Sequence, residues 1–114
     1  MGSLILLLDS VFTPRPIQRE SAVQAGMDRA TANLVLYQFE ACPFCVKVRR
    51  AIRRLNLKIE KRDIKKFPTF SEELLKGGGQ RQVPCLRITA VDGSQRWLYE
   101  SSDIVAFLET VVPQ

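Results

Sequence analysis

Residues 34–52 read Leu34-Val35-Leu36-Tyr37-Gln38-Phe39-Glu40-Ala41-Cys42-Pro43-Phe44-Cys45-Val46-Lys47-Val48-Arg49-Arg50-Ala51-Ile52. The run Leu34 to Phe39 has the continuous apolar character of a strand buried on both faces. Behind it, Val48, Ala51, Ile52 and Leu55 recur at helical spacing, with Lys47, Arg49, Arg50, Arg53 and Arg54 mostly on other faces. Cys42-Pro43-Phe44-Cys45 therefore lies where a strand gives way to a helix. A sulfur there faces unpaired amides and the positive end of the helix dipole, which favour thiolate over thiol. Two sulfurs at this spacing can also close a disulfide across the first turn, one attacking and the other resolving. Cys45 precedes Val48 by three and Ile52 by seven, so it should point to the core. Cys42 is expected at the exposed tip.

A chain of 114 residues, 46% apolar and 25% charged, suits one small soluble domain. Three cysteines leave one unpaired, so a secreted disulfide scaffold is disfavoured and a reducing compartment fits better. The absence of histidine excludes Ser-His and Cys-His catalysis and every imidazole zinc site. One CxxC plus Cys85 offers three thiolates, so a closed zinc site would need a carboxylate or water, and no metal is expected. The net charge of +5 is concentrated between residues 34 and 66, where ten Lys or Arg face Glu40, Glu60 and Asp63. Such charge can favour a thiolate and attract anions, although most of these side chains read as a solvated helix face. No DNA-binding pattern or aromatic-rich strand accompanies it, so no nucleic acid partner is expected.

Leu4 to Leu8 is an apolar run too short to span a bilayer and without the flanks of a secretory signal. A stub of a membrane anchor, an interfacial segment and an element packing on the core or a partner remain open, with the anchor slightly favoured. The pattern breaks at Thr13-Pro14-Arg15-Pro16. A short, weakly amphipathic helix is predicted over about residues 17–32 through Ile17, Val23 and Met27. Residues 1–33 thus form an appendage to a domain at 34–114. Within the domain, Leu57 to Asp63 is a second strand. Phe67-Pro68 precedes a helix opened by Thr69 and Glu72 as a capping box and ended by Gly77-Gly78-Gly79. Val83 to Val91 and Arg96 to Tyr99 form a hairpin around Asp92-Gly93. Ile104, Phe107, Leu108 and Val111 form a last helical stripe, begun by Ser101-Ser102 and stopped before Pro113. The predicted order is β-α-β-α-β-β-α.

From about Leu34 to Leu108 this chain resembles a glutaredoxin of the thioredoxin-fold superfamily. Three motifs in order carry the resemblance: Tyr37 to Cys45 (YQFEACPFC), Gln82 to Leu86 (QVPCL) and Tyr99 to Ile104 (YESSDI). It implies an α/β, thioredoxin-like fold with a four-stranded mixed sheet flanked by helices. Pro84 would follow a cis bond beside Cys42, and Val83 would meet an extended peptide such as glutathione through its main chain. The third motif is closer to the Glu-Ser pattern of glutathione transferase N-terminal domains. There Ser101 and Ser102 would take the γ-glutamyl carboxylate and Glu100 the ammonium group; as plain helix caps the serines would need no ligand. Two family features differ. Phe39 stands where many glutaredoxins carry a lysine, and Gln82 where they carry a threonine. Arg81, Lys47 and Gln38 are candidate substitutes. Cys85 reads as a buried, inert strand residue.

The resemblance implies a glutathione-dependent thiol-disulfide oxidoreductase, with Cys42 and Cys45 catalytic and Gln82, Val83, Pro84, Glu100, Ser101 and Ser102 binding glutathione as cosubstrate. Its partners would be glutathione and disulfide-bonded or glutathionylated proteins. The implied location is cytoplasmic, with a membrane tether through the N-terminal run left open. Two rival expectations are a glutathione-ligated [2Fe-2S] carrier or sensor and the thioredoxin-like half of a glutathione-using isomerase or transferase. Type 2 prostaglandin E synthases, of the latter class, share CPFC and an apolar N-terminus but add a helical second domain.

Overall fold

The computed structural model describes residues 19–112. The elements run α1 (Ser21–Ala30), β1 (Leu34–Gln38), α2 (Pro43–Arg54), β2 (Glu60–Asp63), α3 (Pro68–Gly78), β3 (Cys85–Thr89), β4 (Gln95–Leu98) and α4 (Ser101–Val111). The strands form one sheet in the order β2-β1-β3-β4. β2 runs parallel to β1, with Val35 opposite Glu60, whereas β3 is antiparallel to β1 and β4 to β3. This is the four-stranded mixed sheet implied by the resemblance.

β1 is central, and all five of its residues are buried. That is why Leu34 to Tyr37 are apolar in succession rather than alternating. Its pleat still sorts side chains by face. Leu34 and Leu36 join Val48, Ile52 and Leu55 of the α2 segment, with Ile104 and Leu108 of α4, in one cluster. Val35 and Tyr37 join Cys85 and Leu74 in a second cluster, against which Phe70, Trp97 and Tyr99 pack. Within it the Tyr37 hydroxyl donates to Glu73 at 2.9 Å and accepts from Arg62 at 3.3 Å and Arg87 at 3.2 Å. Burial, then the bond to Glu73, pushes the Tyr37 pKa up. The edge strand β2 is wholly charged, Glu60-Lys61-Arg62-Asp63, a composition that discourages pairing with another chain.

Several boundaries differ from the sequence reading for local reasons. The first helix spans Ser21–Ala30; Met27 is buried in the first cluster and Val23 is exposed, while Ile17 lies outside the described residues, as do Leu4 to Leu8 and Thr13 to Pro16. Thr31 ties α1 down by donating to the carbonyls of Met27 at 3.1 Å and Lys58 at 2.9 Å. β2 starts only at Glu60, because Leu57 and Ile59 are buried in the first cluster ahead of the ladder. The expected capping box at Thr69 and Glu72 does not form. Pro68, whose fixed φ and missing N–H suit the first helical position, starts α3 earlier, with Phe67 as an N-cap that makes no side-chain cap bond. Gly79, at φ 90°, ends the helix with its amide on the Leu75 carbonyl at 2.9 Å. β3 is shorter than expected, since the Val83-Pro84 bond is cis and Ala90 already pairs with Ser94 in the turn. Gly93, at φ 89°, allows that turn, and the Asp92 carboxylate accepts the Ser94 amide at 2.9 Å. Among the described residues no helix is long and apolar enough to cross a membrane.

Candidate active site

Cys42 is the N-cap of α2 and Pro43 its first helical residue. With φ −72° and ψ 119° the Cys42 backbone is extended, and its side chain turns back over the helix end. There its Sγ accepts the amide N–H of Cys45 at 3.4 Å. This corrects the expectation of an exposed tip: Cys42 is only 6% exposed. A sulfur that serves as the cap must sit against the first turn, and Phe44, 63% exposed, forms the protruding tip instead. Such a cap satisfies one of the orphan amides of the helix and directs its N–H dipole at the sulfur.

Cys45 lies inside, fully buried at the base of α2, as its spacing to Val48 and Ile52 predicts. Burial, then its hydrogen bond with Cys42, pushes the Cys45 thiol up to about 12. The Phe39 backbone and the nearby Arg49 charge act in the opposite direction. No disulfide joins the two sulfurs, and Cys85 is likewise unpaired. Cys85 is also fully buried, and burial pushes its thiol up to about 12, in keeping with an inert strand residue. The two CxxC thiols therefore differ: one caps a helix, and the other is held protonated in the core.

Beside the CPFC turn lies a groove of about 340 Å³ lined by Phe44, Lys47, Gln82, Val83, Pro84, Tyr99, Glu100, Ser101 and Ser102. It thus brings together all six residues that the sequence assigned to ligand binding. Its walls come from three separated segments: the first turns of α2, the cis Val83-Pro84 bend before β3, and the N-terminus of α4. The serines do not act as caps. Glu100 is the α4 N-cap and makes no side-chain cap bond, so Ser101 and Ser102 occupy the first two helical positions. Ser101 is buried and Ser102 exposed. The first-turn amides of α4 thus open on the groove, an arrangement suited to a carboxylate.

Phe44, Lys47 and Tyr99 are the lining residues that the sequence reading did not place there as binders. The sequence reading offers Lys47 only as a candidate substitute, and its position two residues after Cys45, on the first turns of α2, is what brings it to the groove. Among the candidate substitutes for the missing lysine, only Lys47 reaches the groove. Arg81 pairs with Glu72 at 3.0 Å, and the Gln38 side chain accepts from Arg49. Tyr99 has no signal in its own motif; its hydroxyl donates to the Gln80 carbonyl at 3.2 Å and so braces the groove against the end of α3. The groove carries opposite charges on two of its walls, Lys47 on α2 and Glu100 at the start of α4. A small zwitterionic peptide could align its main chain along Val83 and its charges on these groups.

The glutaredoxin family model matches residues 34–91, half of the chain. A search of solved structures finds, among others, a crystal structure of wheat glutaredoxin with a TM-score of 0.51 and 20% sequence identity. That alignment covers 82% of this chain and 95% of the wheat chain, and at this identity it speaks for the fold. Among curated proteins, no match to the sequence is found.

Proposed function

Given that the chain belongs to the glutaredoxin family, and so to the thiol-disulfide oxidoreductases in kind, we propose that it reduces glutathione mixed disulfides and protein disulfides with glutathione as cosubstrate. One observation carries this reading: the Cys42 sulfur, held by the Cys45 amide in the first turn of α2, stands at the turn whose Phe44 lines a groove completed by Val83, Pro84 and the α4 N-terminus.

In the proposed cycle the Cys42 thiolate attacks the glutathione sulfur of a mixed disulfide. The old S–S bond breaks, the protein sulfur leaves as thiolate and takes a proton from solvent, and a Cys42–glutathione disulfide forms. A second glutathione thiolate attacks the glutathione sulfur of that intermediate, releasing glutathione disulfide and restoring the Cys42 thiolate. Helix amides aimed at Cys42 stabilise negative charge both when it attacks and when it leaves. On protein disulfides, Cys45 attacks Cys42 to expel the partner and leaves a Cys42–Cys45 disulfide, which two glutathiones reduce. Because burial holds Cys45 as a thiol, it must lose its proton as it attacks.

The test is turnover of a glutathionylated peptide by the two single variants. Cys42→Ser is expected to abolish turnover and Cys45→Ser to retain it. Full activity of Cys42→Ser would exclude Cys42 as the nucleophile, and turnover without added glutathione would exclude it as cosubstrate.

A further inference from the structure

Arg49 lies one helical turn beyond Cys45 on α2, yet its half-buried guanidinium reaches back to the segment that precedes Cys42. Its Nη1 donates to the side-chain oxygen of Gln38 and to the Phe39 carbonyl at 3.2 Å, and its Nη2 donates to the Glu40 carbonyl at 2.7 Å. Three acceptors on three consecutive residues are thus held by one planar fork. Gln38 is itself buried at the end of β1, where its carbonyl accepts the Ile64 amide at 3.0 Å, so the fork is anchored to the sheet. On the other side of the fork, the Phe39 carbonyl also receives the Cys42 amide at 3.4 Å. The three residues that deliver Cys42 to the helix end are therefore fixed from outside by a side chain of that same helix.

We infer that Arg49 is the positioning residue of this site: it clamps Phe39 and Glu40 so that the Cys42 sulfur stays seated on the Cys45 amide. The geometry asks for arginine specifically. A guanidinium presents several donors in one plane, whereas a lysine ammonium is a compact point charge that cannot span acceptors on two sides of a bend. The location of the charge adds a second effect, since Arg49 acts on Cys45 in the direction that favours thiolate. In its role for catalysis the inference rests on the reading of Cys42 as nucleophile, but not on glutathione as the reductant.

The experiment uses the full chain carrying Cys45→Ser, so that Cys42 is the reactive thiol under study, and follows its alkylation by iodoacetamide alongside a thermal melt. Arg49→Lys, which keeps the charge, is expected to slow alkylation about tenfold while leaving the protein folded at the assay temperature, because charge-assisted bonds to the loop are lost. In turnover of a glutathionylated peptide, the same variant should lower kcat with KM nearly unchanged, a split that general loosening of the groove would not produce. Gln38→Ala keeps Arg49 and removes one acceptor; a loss of about threefold is expected, and this variant decides the matter should Arg49→Lys fail to fold. Wild-type or faster alkylation in both variants, or in Gln38→Ala alone if the other does not fold, would overturn the inference. Alkylation needs no glutathione, so a failure of glutathione turnover in the wild-type chain would count against the proposed function and not against the clamp.

Discussion

Gly77→Ala, in the last turn of α3, tests the packing that supports the groove, because here helix propensity and geometry predict opposite signs. In an exposed helix, replacing glycine by alanine stabilises by roughly 0.5–1 kcal/mol. At Gly77 an added Cβ would lie 2.2 Å from Trp97 Cζ2, 2.7 Å from Cη2 and 3.1 Å from Cε2. The ring cannot simply step aside. Its centroid is 5.6 Å from that of Tyr37, and the Arg87 guanidinium lies 5.9 Å from it. Forcing a methyl into such packing costs about 1–3 kcal/mol, so with the propensity gain subtracted the substitution should destabilise by about 1 kcal/mol. For a domain of this size that lowers Tm by about 4–8 °C per kcal/mol. Thermal and urea unfolding of both proteins measure it, with Gly77→Ala/Trp97→Leu as the partner variant. If the clash is the cause, the second substitution recovers part of the loss, and the cycle returns a coupling of about 1 kcal/mol. A Gly77→Ala protein that melts at or above the wild type would refute the reasoning.

Other expectations follow from the same structure. Cys85 keeps its proton in the native state up to about pH 12, against 9.0 for the unfolded thiol. Its stabilising contribution is therefore full well below pH 9 and is lost as pH rises from 9 toward 12, by on the order of 1 kcal/mol at pH 10. Urea unfolding at pH 8 and 10 should show a shallower decline for Cys85→Ala than for wild type; equal declines would contradict the burial argument. Thr31→Val leaves the Lys58 carbonyl without the buried hydroxyl that donates to it at 2.9 Å. A loss of about 1–3 kcal/mol in urea unfolding is expected, and a loss near zero would mean that α1 is not held by this contact. Lys47→Glu reverses the charge at the groove. It should raise KM for a glutathionylated peptide about tenfold, equivalent to ~1.4 kcal/mol, with kcat little changed; an unaltered KM would remove Lys47 from the binding groups.

How much was legible in the sequence depended on whether the information was local. The strand at Leu34, the CPFC turn and the helix after it could be read from a buried apolar run followed by 3.6-residue periodicity, because each needs only its own neighbours to be recognised. The inward direction of Cys45 came from the same periodicity. The buried position of Cys42 did not, since it depends on the sulfur folding back as a cap. Thr69 carried the signature of a capping box and lost to Pro68 one position earlier, a competition between two local signals that only the folded backbone resolved. Motif resemblance named the groove residues at 82–84 and 100–102, which physical patterning alone would have left as a proline-started strand and a helix cap.

By itself, the sequence determined the order of the elements, the strand-to-helix junction bearing two thiols, and the exclusion of histidine chemistry, since residue type and spacing act within a few positions of the chain. Only the tertiary structure decided that Lys47 rather than Arg81 or Gln38 reaches the groove and that Ser101 and Ser102 leave their cap role to Glu100. It also showed why Gly77 and Gly78 must lack side chains beneath Trp97 and Tyr99. Those outcomes depend on which distant segments the sheet brings within a few ångströms of one another, and close packing leaves room there for one arrangement of side chains.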